Sequence, residues 1–284
     1  MRQSFWELAT KFAGFYKEMS AINQLFDVQS FYYRNCAVPF TIKQYINDHH
    51  FPRWARANSV TAPSIKDLMQ DLGVDFFDPR NYKTDFSLEE FLLYVETVYN
   101  LVSIEIVEAK KIMDVISQIR SNIKIDCARL GFEVREFGKE KYIIVEKNAA
   151  ATAVADQYAA SELEFSFKVI EYNHFLLRGN VSRKREILLA LGQKFEEKRR
   201  QLELGIFKDV AKDAGLLLNK LDIRHNNASP DSKGYNAFVA QMSSDDLEAW
   251  YDKTYDILLL ALLADDFSVL HKKVQELKEQ MESK

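Results

Sequence analysis

From Ser161 onward, apolar residues recur at steps of three and four over stretches far longer than a β-strand, and that spacing restricts the C-terminal part of the chain to packed helices. The cleanest stripe is Leu247, Trp250, Tyr251, Thr254, Tyr255, Leu258, Leu259 and Leu262, entered through Ser243, Ser244, Asp245 and Asp246, residues that suit a helix N-terminus. Upstream, a segment from Leu163 to Phe175 precedes a break at Arg178, Gly179 and Asn180. A helical run then extends from Ser182 to about Leu221, with one stripe at Ile187, Leu188, Leu191 and Phe195. A second stripe runs through Phe207, Val210, Ala211, Ala214, Leu217, Leu218 and Leu221, and Gly205 marks a kink or turn between the two.

The N-terminal part is less regular. Phe5, Leu8, Ala9, Phe12, Phe15, Tyr16 and Met19 predict an amphipathic helix. Pro39, Pro52, Pro63 and Pro79 then break the chain into short pieces, with helical turns expected at Ile42–Asn47 and Ile65–Leu72. Ser87 with Glu90 three residues on has the form of a capping box, and Leu88, Phe91, Leu92, Val95, Tyr99 and Val102 continue it as a helix. Ile112, Val115, Ile116, Ile119 and Ile123 carry a helical core element toward Gly131. The alternation of FEVREF and YIIVEK about GKEK predicts a β-hairpin over Phe132–Lys147. The Ala-rich stretch Asn148–Ala160 is expected either as a small-residue helix or as a flexible connection. The expected fold class is therefore mainly α, a helical bundle with one small β-hairpin: an N-terminal helical region over 1–160 and a helical bundle over 161–284.

At 284 residues the chain can bury roughly three quarters of its unfolded surface, and a net charge of -4 excludes non-specific coating of nucleic acid through global charge. Cys36 and Cys127 stand far apart and outside any Cys/His pattern, which fits a reduced compartment, not a disulfide scaffold or zinc site. With no signal-peptide stretch at the N-terminus and no apolar run of membrane-spanning length, the expected location is cytoplasmic, with no membrane partner. No phosphate-binding glycine loop is present and no cofactor is expected.

Chemistry concentrates where the long helical run stops. KLDIRHNN, Lys220 to Asn227, packs basic, acidic, imidazole and amide groups into eight residues ahead of a polar loop. A histidine exchanges protons near neutral pH, and neighbouring Lys and Arg can stabilise a phosphorane-like charge without metal, the parts needed to cleave RNA through its own 2′-hydroxyl. The same residues also suit a plain helix end, with Asn226 and Asn227 as left-handed caps and Arg224 and His225 against the last carbonyls.

KLDIRHN resembles the motif of HEPN domains, an arginine with a polar neighbour and a histidine a few residues on, placed where one bundle helix meets the next. Lys220 stands where that family has its arginine and Leu221 where it commonly has an asparagine, with Asn219 and Asn226 close by. The resemblance covers Ser161 to Lys284 and implies a metal-independent ribonuclease of abortive-infection, toxin or phage-defence type, acting as a homodimer, with an antitoxin or other protein partner. It implies His225 as the catalytic residue, with Lys220 in the place of the arginine; apart from the resemblance, Arg224 beside His225 is a candidate to supply the guanidinium that a lysine lacks. Asn219, Asn226 and Asn227 would bind RNA. The alternative is a non-catalytic helical module that docks a protein, nucleotide or RNA end.

Between Arg183 and Arg224 there are 11 basic against 7 acidic residues, with RKR at 183–185 and KRR at 198–200, which suits an RNA-facing surface. It suits better an exposed helix face with Glu186, Glu196 and Glu197 interleaved, and Glu196 or Glu197 could bring a carboxylate to the site. His49 and His50 are expected at the surface, His174 as a satisfied bundle histidine, and His271 facing water. Phe31, Tyr32, Tyr33 and Trp54, with Arg34, Arg53 and Arg56 near, form either a core with a polar rim or a base-stacking cluster.

Overall fold

The computed structural model describes residues 14–27, 29–31, 39–52, 55, 61–73, 84–103, 110–138, 141–224, 230–231 and 235–282. They form two compact units, Met1–Glu146 and Lys147–Lys284. The protein is mainly α-helical, with small antiparallel two-stranded ladders.

In the first unit the described chain opens with helix α1 (Phe15–Asp27), preceded by Gly14 at positive φ, and α1 buries Met19, Ile22 and Phe26. Residues 5–13 of the predicted first helix lie outside the described residues. Strands β1 (Gln29–Phe31) and β2 (Phe40–Thr41) pair antiparallel, a ladder too short to show in the sequence pattern. Helix α2 (Ile42–Tyr45), capped by Thr41 and Gln44, runs into a π-helical turn at Ile46–His50, and α3 spans Ile65–Asp71. The core is made by α4 (Leu88–Leu101) and α5 (Lys110–Arg129), which bring together Phe91, Val95 and Val98 with Ile116, Ile119 and Ile123.

Strands β3 (Phe132–Glu136) and β4 (Tyr142–Glu146) form the predicted hairpin, with Phe132 opposite Glu146 and Glu136 opposite Tyr142. Its outer edge is closed by α4. Asn100 Nδ2 donates to Tyr142 O (2.7 Å), Tyr142 N donates to Asn100 Oδ1 (2.9 Å), and Ile144 N donates to Glu96 Oε2 (2.6 Å). Side chains of one helix thus stand in for a third strand along the β4 edge.

The second unit opens with the Ala-rich stretch, which is helix α6 (Ala149–Tyr158), capped by Asn148 and packed on α7 (Leu163–Glu171). A 3₁₀ turn at Phe175–Leu177 leads to α8 (Val181–Glu203), and a short corner at 204–207 separates it from α9 (Lys208–Lys220). A single turn, α10 (Ala237–Ala240), precedes the 39-residue helix α11 (Ser244–Glu282). The core lies where α11 meets α8 and α9: Ile187, Leu188, Leu191 and Phe195 face Ala211, Ala214 and Leu218, and Tyr251, Tyr255, Leu258, Leu259 and Leu262 complete it. Gly192 permits the closest approach, since a Cβ there would stand 2.8 Å from Leu218 Cδ2. No helix among the described residues is long and apolar enough to cross a membrane.

Candidate functional site

Lys220 is the last residue of α9, and Leu221 caps the helix with its N–H donating to Leu217 O. Asp222 then takes a left-handed conformation at φ 57°, the one non-glycine residue with positive φ among the described residues. This turn folds the chain back, so that Arg224 N donates to Leu218 O (3.2 Å) and Ile223 is wholly buried. An aspartate tolerates this conformation better than most side chains, and here it does the work that glycine usually does at a helix C-terminus. The left-handed residue that ends the helix is therefore Asp222.

The exposed carbonyls of the helix end are taken up by three elements. Asn236 Nδ2 donates to Lys220 O (2.8 Å), Tyr251 Oη of α11 to Leu221 O (3.3 Å), and Arg185 Nε of α8 to Asp222 O (2.6 Å). Partial burial raises the Asp222 carboxyl above its ordinary range, opposed by the positive charge of Arg185.

Arg224 is brought beside the last turn of α9, where its Nη1 donates to Asn219 Oδ1 (3.1 Å) and its Nη2 pairs with Glu196 of α8. Its side chain is 19% exposed, and desolvation lowers its pKa. Lys220 is exposed. The structure thus gathers Asn219, Lys220 and Arg224, and adds Glu196 and Arg185 from α8. Glu197 turns away to pair with Lys194 (2.7 Å). His225, Asn226 and Asn227 lie outside the described residues. Of the two carboxylates the sequence offered, it is Glu196 that reaches the site, 28 residues from Arg224, whereas Arg185 stood in the sequence only as a member of a charged run, 37 residues from Asp222. No residue pattern signals contacts at that range.

The basic runs of α8 are largely engaged within the bundle. Arg183 pairs with Glu171 (2.7 Å) and Glu186 (2.8 Å), and Arg199 with Glu196 (3.2 Å) and Glu203 (2.7 Å). Lys184 is 5% exposed, with its Nζ 2.7 Å from Glu248 Oε1 and 2.6 Å from Asp252 Oδ1. Beneath it, Tyr172 Oη donates to Asp252 Oδ1 (2.9 Å) while its ring stacks on Tyr255 at 3.9 Å. Tyr255 Oη donates to Val169 O (2.6 Å) and accepts from Asn173 Nδ2 (2.7 Å). Burial, then the Asp252 charge, raises the Tyr172 phenol, and burial raises Tyr255. These groups satisfy one another and tie α8 to α11.

His49 packs against Phe40 and Tyr45, His174 against Phe175, and His271 is exposed beside Gln275. Of the aromatic and arginine cluster, Tyr32, Tyr33, Arg34, Arg53, Trp54 and Arg56 lie outside the described residues. Among the described residues no group of His, Cys, Asp and Glu could hold a metal ion. A groove of about 470 Å³ between α7 and α8 is lined by Glu162, Phe165, Lys168, Gln193 and Lys194, and it includes none of the residues around Lys220. Comparison with protein-family models, curated proteins and solved structures finds no significant match for this chain.

Proposed function

We propose that the segment from Asn219 to Asn227 is the active centre of a metal-independent endoribonuclease. In this reading His225 takes the proton of the RNA 2′-hydroxyl, whose oxygen attacks phosphorus, and a proton passes to the departing 5′-oxygen. The products are a 2′,3′-cyclic phosphate and a 5′-hydroxyl. Lys220 and Arg224 stabilise the charge on the phosphoryl oxygens, and Asn219, Asn226 and Asn227 hydrogen-bond the RNA. A role in abortive infection or phage defence, with two protomers working together, belongs to the same proposal.

The observation that carries this reading is the turn at Asp222, which returns the Arg224 guanidinium to Asn219, with His225 the next residue along the chain. An arginine so placed supplies the planar donor set that Lys220 lacks. A scissile phosphate would compete with Glu196 for that guanidinium.

One observation favours a second reading. Arg224 is already paired with Glu196, which suits a non-catalytic module in which the helix end only docks a protein, nucleotide or RNA terminus. Incubating the protein with RNA in EDTA separates the two: the ribonuclease generates fragments with 2′,3′-cyclic ends, whereas the docking module leaves the RNA intact.

A further inference from the structure

Helix α11 continues well past the bundle that buries its first half. Tyr251, Tyr255, Leu258, Leu259 and Leu262 are buried, but beyond Ala264 every residue whose side chain is described is exposed. Among the described side chains, the large apolar ones left in solvent along this helix, after Trp250 near its start, are Leu260 (47% exposed), Phe267 (46%), Leu270 (57%), Val274 (41%), Leu277 (55%) and Met281 (71%). Their steps of seven, three, four, three and four, with half-buried Leu263 filling the first gap, are the a and d positions of a heptad repeat. His271, Lys273, Gln275, Glu276, Lys278, Glu279, Gln280 and Glu282 occupy the other faces.

A stripe this narrow has the width of a coiled-coil seam. A helix lying on a sheet or a membrane would present a broader apolar face. The six side chains leave on the order of 600 Å² exposed, so two such seams together bury about 1,200 Å², the lower bound of a specific interface. Leu204 (83% exposed) and Ile206 (68%) extend the apolar surface at the α8–α9 corner, next to Phe207, whose ring meets Phe267 at 5.6 Å.

We propose that this seam is a self-association surface and that α11 of a second copy packs along it antiparallel. The flanking charges set the direction. Lys273 and Lys278 stand five residues apart on the two sides of the seam, so a parallel pair would place Lys273 of each copy against Lys278 of the other. An antiparallel pair with Phe267 opposite Leu270 separates them. It also layers Leu260 on Leu277 and Leu263 on Val274, symmetrically about a two-fold axis. The interface uses no residue of the 219–227 segment and holds whether or not the protein cleaves RNA.

Sedimentation velocity on the full chain tests this, from about 1 to 100 µM. The expected result is a rise from the protomer mass of 33.0 kDa to twice that value. Replacing the pair as Leu270→Lys with Leu277→Lys should weaken dimerisation at least about 100-fold, by placing two charges in the seam. Because both residues are exposed, the helical circular dichroism and the unfolding temperature at low concentration should stay at parent values. An equal mixture of Leu260→Cys and Leu277→Cys copies should form a mixed disulfide under mild oxidation, and Met281→Cys alone should not cross-link. A parent protein that stays monomeric at the highest concentration, or a dimer indifferent to the two lysines, overturns the proposal. Efficient Met281→Cys cross-linking overturns the antiparallel direction.

Discussion

Replacing Lys184 by Met tests how the second unit is held together. The ammonium is nearly sequestered, within 2.7 Å of Glu248 and 2.6 Å of Asp252, and stands 5.2 Å from the Tyr172 ring centroid. At an effective dielectric near 20 each contact has a gross attraction of about 6 kcal/mol, most of which offsets the desolvation of three charges. Methionine keeps the apolar stem but strands Glu248, whose side chain is 17% exposed, whereas Asp252 at 51% remains largely hydrated. Breaking one partner of a buried pair costs roughly 3–5 kcal/mol, and the hydration of Asp252 reduces this to about 2–4 kcal/mol. In a unit of this size that is a fall of roughly 5–15 °C in the unfolding temperature, read by calorimetry or circular dichroism.

The loss should depend on pH. Burial works to raise the Glu248 carboxyl, but Lys184 and the Gly179 N–H outweigh it and hold the group below the usual carboxylate range. A depressed folded pKa gives stability that is fully present above the unfolded value, about 4.3, and is lost as pH falls through the folded value. The gap between parent and Lys184→Met should therefore narrow as pH falls below the unfolded value, and Lys184→Met with Glu248→Gln should recover part of it at pH 7. A Lys184→Met protein within about 0.5 kcal/mol of the parent at pH 7 would mean that Lys184 does not hold α8 to α11.

Two further outcomes are expected. In the first unit, burial and the Glu18 charge raise the Asp126 carboxyl to about 6 against the opposing Arg129, so its ionisation costs stability as pH rises between about 4 and 6. Asp126→Asn should therefore exceed the parent by about 1–2 kcal/mol in urea unfolding at pH 7.5 and match it at pH 4; equal stability at both pH values would contradict this. At the helix end, Asp222→Gly should leave stability unchanged or slightly raised, whereas Asp222→Val should cost about 1–2 kcal/mol, because a β-branched residue resists positive φ. Equal stability of the two variants would mean that the turn relaxes.

Much of the architecture was legible where local chemistry alone decides it. The Ser87 capping box forms both of its hydrogen bonds, Glu90 N to Ser87 Oγ (3.1 Å) and Ser87 N to Glu90 Oε2 (2.9 Å). The hairpin at Phe132–Glu146 and the stripe of α11 follow their two-fold and helical periods. What stayed hidden depends on distance along the chain. Lys184 sits in an RKR run that suits a wet surface, and its carboxylates come from α11, more than sixty residues on. Arg224 finds Glu196 only because Asp222 turns the chain back, and an aspartate at a left-handed position carries no sequence signature of the kind glycine does. The heptad spacing beyond Ala264 is hard to see in the sequence, since its apolar residues are outnumbered by the polar ones between them.

His225 carries the proposed ribonuclease activity. Single-turnover cleavage of end-labelled RNA in EDTA, compared between the parent and His225→Ala at matched secondary structure, tests it most directly. The expected result is cleavage by the parent and a loss of at least about 100-fold in the variant, with RNA still bound, because only proton transfer has been removed. Equal cleavage rates, or no cleavage by either protein, would contradict it.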